Sequence, residues 1–137
     1  MSRWAALRQV FAKRPWWMNL LWGFCLFMTF AYVPWDLFLK PVAQDQEVWF
    51  GVLFTGWWAK VLAIPHWLVY GAGAYGFWQM KRWMWPWAAL YTGQVAFGMA
   101  VWSLLDERGS LAGAVIAGGL FLIPTIALWR TRAFASP

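Results

Sequence analysis

Four long apolar runs alternate along the chain with short polar stretches, each dominated by charge of one sign. Ahead of the first run, Trp4, Leu7, Val10 and Phe11 recur at helical spacing among Arg3, Arg8, Lys13 and Arg14, which predicts a short amphipathic helix lying on the membrane surface. A frayed basic tail fits the same residues, because so short a segment barely sustains helix alone. The first span is expected from Trp16 to about Trp35, entered through Pro15 and closed by Pro34, since proline disfavours helix in the residue before it. Asp36 to Glu47 then reads as a polar loop.

The next apolar stretch, Val48 to Met80, is too long for one straight span. As a single helix it would reach about 50 Å at ~1.5 Å per residue, against a hydrocarbon core of ~30 Å. Pro65, with Lys60 just before it, suggests an in-plane or re-entrant piece over residues 48–63 and a second span over about 64–80. The alternative is one long tilted helix kinked at Pro65, with Lys60 snorkelling outward. Lys81 and Arg82 form a turn, residues 85–105 the third span, Asp106 to Gly109 a tight turn, and residues 110–129 the fourth span. The expected fold is therefore an all-α integral membrane protein, a four-transmembrane-helix bundle forming a single domain over 1–137.

Charge sets the orientation. With the N-terminus inside, Arg3, Arg8, Lys13, Arg14, Lys81, Arg82, Arg130 and Arg132 all fall on the cytoplasmic side and the acidic residues on the other. Flipping the chain would put these basic clusters outside, and removing one span would split them between the two faces. The expectation is a multi-pass protein of the bacterial inner membrane with both termini cytoplasmic.

Composition agrees with a bilayer environment: 63% of the 137 residues are hydrophobic and 12% charged, about half the charged share of a soluble domain. Fifteen Trp residues fit many membrane boundaries, where an apolar ring and a wet N–H are both accommodated. The net charge of +6 flanks apolar runs instead of clustering on a soluble face, which argues against nucleic acid. The single cysteine, Cys25, excludes an intramolecular disulfide and a multi-cysteine metal site. The first run is long for a signal-peptide core and lacks a small-residue cleavage pattern, so it is expected to be an uncleaved anchor.

Small residues mark candidate helix seams: Ala72 with Gly76 in the second span, Ala89, Gly93 and Gly98 in the third, and Gly113 with Ala117 and Ala114 with Gly118 in the fourth. The first span, rich in Phe and Trp, is expected at the periphery or against another protein. Exposed rings most simply anchor the chain in the interface; Trp49, Phe50, Trp57 and Trp58 are the candidates for a surface that takes a partner or a lipid.

Few residues could carry chemistry. His66 is the sole histidine, with Tyr70 at i+4 and Lys60 on a different helical face. No carboxylate lies in an expected span, so only the loop carboxylates Asp36, Asp45 and Glu47 could serve as its partner. The candidate ligand-binding residues are His66, Lys60, Tyr70, Trp57, Trp58 and Asp36. The sharpest catalytic idea is His66 with Lys60 and an outer-loop carboxylate acting on a lipid headgroup. The simpler alternative is a half-buried histidine bonded to a backbone carbonyl released by Pro65. No metal site and no cofactor are expected: one histidine per chain forbids bis-His haem ligation within it, and Met80 and Met84 lie about 20 Å from His66 along a helix. Gln94 and Tyr91 could line a polar path, yet buried acids and paired helix breaks, the usual marks of a transporter, are missing from the pattern.

The order Val33-Pro34-Trp35-Asp36, Trp49-Phe50, Leu53-Phe54, Pro65 and Lys81-Arg82 loosely resembles the EXPERA family of sterol isomerases and sigma-2-type receptors, over about a third of the chain. The resemblance implies four spans and an apolar small-molecule cavity; it assigns no site residue, because that family places acids in its cavity and no expected span here contains one. Abundant seams and scarce catalytic groups favour a non-catalytic accessory or assembly subunit of a larger membrane complex. Its expected partners are membrane lipids and other membrane subunits or further copies of the chain. The other reading is a lipid or hydrophobic small-molecule binder, or a lipid-modifying enzyme, with its site near the periplasmic interface.

Overall fold

A computed structural model describes residues 2–135, so the single domain expected over 1–137 extends past them at both ends. Helix α1, Arg3–Ala12, begins where the Ser2 hydroxyl accepts from Ala5 N (3.2 Å), a side-chain cap for an otherwise orphaned amide. It is an ordered helix with Trp4, Leu7 and Phe11 exposed.

The first span does not close at Pro34. Helix α2, Trp16–Phe27, passes through a π-helical turn at Met28–Tyr32 into α3, Val33–Phe38, without leaving helix. In the π register Val33 N donates to Met28 O, so the next amide would donate to Thr29 O. Proline 34 has no amide, and the Trp67 indole N–H supplies the missing bond to Thr29 O at 2.8 Å. The helical run from Trp16 to Phe38 consequently carries Asp36 inside it.

The in-plane piece over 48–63 is also corrected. Strands β1, Gln46–Trp49, and β2, Val52–Thr55, pair antiparallel, Gln46 opposite Thr55 and Trp49 opposite Val52. The two-residue loop has positive φ at both positions, Phe50 (51°) and Gly51 (84°), the pattern of a type I′ turn whose twist suits a hairpin. Gly51 cannot be replaced cheaply: a Cβ there would lie 2.4 Å from Val101 Cγ1 as well as demanding a left-handed backbone. Helix α4 then runs from Gly56 to Gln79 with Pro65 inside it, closer to the long-helix alternative. Lys60, however, is buried and does not snorkel.

Helices α5, Met84–Leu105, and α6, Leu111–Arg130, are close to expectation; the Ser110 hydroxyl caps α6 by accepting from Gly113 N (2.9 Å). Among the described residues, three helical segments are long and apolar enough to cross a membrane: Trp16–Phe38, Met84–Leu105 and Leu111–Ala135. The chain is a membrane-embedded helical protein with one small strand pair.

Two helix pairs make up the body. α2 and α4 are antiparallel, because Trp22 Nε1 donates to Ala74 O (3.1 Å) while Trp67 Nε1 reaches back to Thr29 O. Their seam uses Gly73, where an added Cβ would meet Cys25 Sγ at 3.0 Å; Ala72 of the expected pair faces outward, and Gly76 instead admits Met84. α5 and α6 close on Gly118, whose added Cβ would lie 3.1 Å from that of Ala100. The pairs meet at one end in an apolar core of Met18, Phe77, Met84, Ala89, Leu128 and Phe134. At the other end the hairpin lies between them, its tip seated against Gly98.

Candidate functional site

Under the hairpin is a cavity of ≈ 280 Å³. Tyr32 and Asp36 line it from the first helical run, Glu47 from β1, His66 and Tyr70 from α4, and Gln94 and Gly98 from α5. A strand rather than a helix is what brings Glu47 here. Because residues two apart share a strand face, β1 brings Glu47 and Trp49 together to His66, Trp49 lying flat on the His66 ring at a centroid distance of 3.8 Å and 19° between planes. Trp49 Nε1 is held in turn by Leu62 O (3.0 Å).

His66 sits between Tyr91, a hydrogen-bond partner, and Glu47, which is close but not aligned for a hydrogen bond. Its Nδ1 is 2.5 Å from the Tyr91 hydroxyl and its Nε2 is 3.2 Å from Glu47 Oε1. Tyr70, one turn on, places its ring edge-on to Tyr91. If Nδ1 accepts from Tyr91, Nε2 carries the proton and faces a carboxylate; in the other tautomer Nδ1 donates and a protonated Glu47 faces Nε2. The second state holds one proton more than the first, so passing between them takes up or releases a proton as well as changing the tautomer. The Glu47 carboxyl is pushed up to about 8, first by burial and then by the negative charges of Asp36 and Asp45, so it holds its proton near neutral pH.

Beside the cavity the remaining charges neutralise one another. Lys60 Nζ pairs with Asp45 Oδ2 at 2.8 Å, and Lys40 Nζ bridges Asp36 (3.3 Å) and Asp45 (3.7 Å). The same Lys60 ammonium donates to the carbonyls of Asp36 and of Lys40, the latter at 2.8 Å, closing the C-terminal end of α3. Asp36 and Asp45 are both buried. Buried acids therefore exist where the sequence pattern was expected to lack them, because the helix continues past Pro34 and the loop folds back under the hairpin. Among the described residues Glu47 lies against His66 and pairs with no lysine.

Of the residues singled out from the sequence, His66, Tyr70 and Asp36 line the cavity. Lys60 lies behind it as the counter-ion of Asp45. Trp57 and Trp58 point away at the start of α4, 73% and 70% exposed. Sequence reasoning placed Glu47 within reach of His66 without choosing it over Asp36 or Asp45. The available signal is the pair Gly51 and Gly56 bracketing a strand-length segment, a turn that would make residues 46–49 a strand with Glu47 and Trp49 on one face. Gln94 Oε1 is buried without a hydrogen bond from the described residues. Among them, no group of three or more His, Cys, Asp or Glu side chains could hold a metal ion.

Compared with protein-family models, with curated proteins and with solved structures, the chain matches none significantly, so the loose likeness to the EXPERA pattern assigns neither a family nor a site residue.

Proposed function

We propose that the chain is a four-span protein of the bacterial inner membrane, both termini cytoplasmic, that holds a small apolar molecule with one hydrogen-bonding group in the cavity beneath the hairpin. The carrying observation is the contact of Glu47 with His66 inside that cavity. A titratable pair buried beside a cavity, with one member held far from its ordinary pKa, marks a candidate functional site. The cavity volume corresponds to about nine waters at ~30 Å³ each, enough for a compact molecule or one end of a longer one. Its walls supply apolar contact from Met28, Val33, Val95 and Met99, and its polar groups converge from three elements. Gln94 offers an unfilled acceptor to the guest. His66 and Glu47 can then give a proton to the guest's polar group or take one, with Tyr91 fixing the imidazole. The fourth span is α4, supported by its antiparallel packing along α2 and by the basic turn at Lys81-Arg82 lying opposite the acidic hairpin end.

Native mass spectrometry of the protein released gently from its own membrane tests this reading. A lone chain carrying one defined apolar molecule, lost in His66→Phe and Glu47→Gln, is the expected result. The same molecule retained in both variants would overturn it. A second reading, an accessory or assembly subunit, is favoured by the aromatic exterior, with Phe30, Trp57 and Trp58 turned outward; the same spectrum would report it as a stable protein partner.

A further inference from the structure

At the opposite end of the molecule from the hairpin lies a second cavity, of ≈ 500 Å³, lined by Arg82, Trp85, Trp129, Arg130, Arg132 and Phe134 with Thr131 and Ala135. Its floor is fixed: Phe134 is fully buried in the apolar core and packs against Phe77 at 5.9 Å between centroids. Its aromatic wall is fixed as well. The Trp85 and Trp129 rings lie 5.3 Å apart, and Trp85 Nε1 donates to Trp129 O (2.9 Å), tying the beginning of α5 to the last turn of α6. Three guanidinium-bearing residues converge on this concavity from two separate segments, Arg82 from the turn before α5 and Arg130 and Arg132 from the end of α6. None of the ion pairs among the described residues involves any of them.

The contrast with Arg14 is instructive. Arg14 belongs to the same end of the molecule but is spent internally, donating to Phe77 O (2.8 Å), Trp78 O (3.2 Å), Val10 O (2.8 Å) and Asn19 Oδ1 (2.8 Å), with its guanidinium over the Trp22 ring. Among the described residues, no hydrogen bond or ion pair engages the side chains of the other three in this way. Arg82, Arg130 and Arg132 are exposed around the hollow, where their shared charge favours an anion, and planar guanidinium forks match phosphate oxygens. Paired indoles belong at the level of lipid headgroups, where the ring is apolar and the N–H wet.

We infer that this hollow is a binding site for the phosphodiester headgroup of an anionic phospholipid, with Arg82, Arg130 and Arg132 holding the phosphate and Trp85 and Trp129 flanking the glycerol. The site is separate from the hairpin cavity and does not depend on what that cavity holds. Basic hollows between helix ends on the cytoplasmic side are suited to such headgroups, each cation near the surface adding to the attraction for acidic lipid.

The test is a titration of the full chain in neutral detergent with phosphatidylglycerol, phosphatidylcholine or inorganic phosphate, read by native mass spectrometry and by quenching of tryptophan fluorescence. Phosphatidylglycerol is expected to bind at least tenfold more tightly than phosphatidylcholine, with one lipid retained per chain. The combined variant Arg82→Gln, Arg130→Gln, Arg132→Gln is expected to lose that tenfold preference. The variant Arg3→Gln, Arg8→Gln, which removes surface charge from α1 outside the hollow, is expected to keep it. Equal affinity for the two lipids, an unchanged triple variant, or equal loss in the α1 variant would overturn the site. Displacement of phosphatidylglycerol by an equal concentration of inorganic phosphate would overturn its assignment to a lipid. Should the triple variant fail to fold, Arg132→Gln, which lies beyond the last residue of α6, carries the test alone: a threefold or larger weakening is expected, and no weakening overturns the proposal.

Discussion

The two ends of the bundle solve one problem in different ways. Each buries a cation to close a helix C-terminus, where four carbonyls lack intrahelical partners. At the core end Arg14 closes α4 with neutral partners and no carboxylate, and the surroundings are apolar and tightly packed. At the hairpin end Lys60 closes α3, but it brings Asp45, Lys40 and Asp36 with it and leaves a hollow beside them. Around Arg14 the core end serves packing, and its hollow lies outside that buried contact, lined by arginines of the helix ends. The hairpin end accepts the cost of several desolvated charges, which a purely structural end would avoid by using apolar residues. That difference is the reason to look for function beneath the hairpin.

The comparison breaks most visibly at the lysine. Lys60→Met should destabilise the protein by about 3–5 kcal/mol, because it leaves the buried Asp45 uncompensated and two carbonyls without a donor. Adding Asp45→Leu should recover a large part of that loss, since the pair is then replaced by apolar side chains. Arg14→Leu should cost less, about 1.5–3 kcal/mol, because it strands carbonyls but no opposite charge. Thermal unfolding in detergent orders the three; a Lys60→Met variant as stable as Arg14→Leu would mean that Asp45 finds water or another partner.

Acidity sharpens the same contrast. Glu47 is held above its ordinary value near 4.5, at about 8, so the folded state binds a proton that the unfolded chain has already released over that interval. Its contribution is complete below pH 4.5 and is lost as the pH rises towards 8. The melting temperature should fall across this window and level off above it. Glu47→Gln should flatten the profile, whereas Arg14→Leu should lower the whole curve and keep its slope. A profile unaltered by Glu47→Gln would place the titrating group elsewhere.

The smallest effect is expected at the hairpin tip. Phe50 has φ of 51°, a left-handed conformation that a bulky side chain adopts at a cost. Phe50→Asn supplies the residue pair that type I′ turns prefer and should add about 1 kcal/mol of stability, seen as a rise of a few degrees in melting temperature. Phe50 is largely exposed, and the packing lost with it is the tilted contact of its ring with Trp49 at 6.3 Å between centroids. A drop instead would show that its ring makes a contact outside the chain that the protein depends on.

How much of this the sequence carries differs by region. Long apolar runs and the sign of the loop charges are one-dimensional features, and they led to the helices at 84–105 and 111–130 almost to the residue. Ser110 as a cap is equally local. The hairpin was hidden because Val48 to Thr55 merges into an apolar run, and short apolar runs read alike as helix or strand. Only Gly51 and Gly56, bracketing a strand-length segment, betray the turn and the restart. Pro34 misled for a different reason: its disruptive effect is local, but its remedy, the Trp67 indole, comes from another helix. The burial of Arg14 and Lys60 was equally invisible, since both look like ordinary topological charges until their carbonyl partners fold over them. His66 and an outer carboxylate were recognisable as a pair of residue types; the particular carboxylate was settled by strand geometry.

The reciprocal indole bonds between α2 and α4 have a mechanical consequence. Trp22 reaches Ala74 near one end of the pair and Trp67 reaches Thr29 farther along, each crossing in the opposite direction. Neither helix can slide lengthwise past the other without breaking both bonds in a medium that offers no replacement donors. On the proposed four-span reading, the pair would answer a thicker or thinner bilayer as one stiff plank, by tilting, leaving adjustment of length to the other two helices.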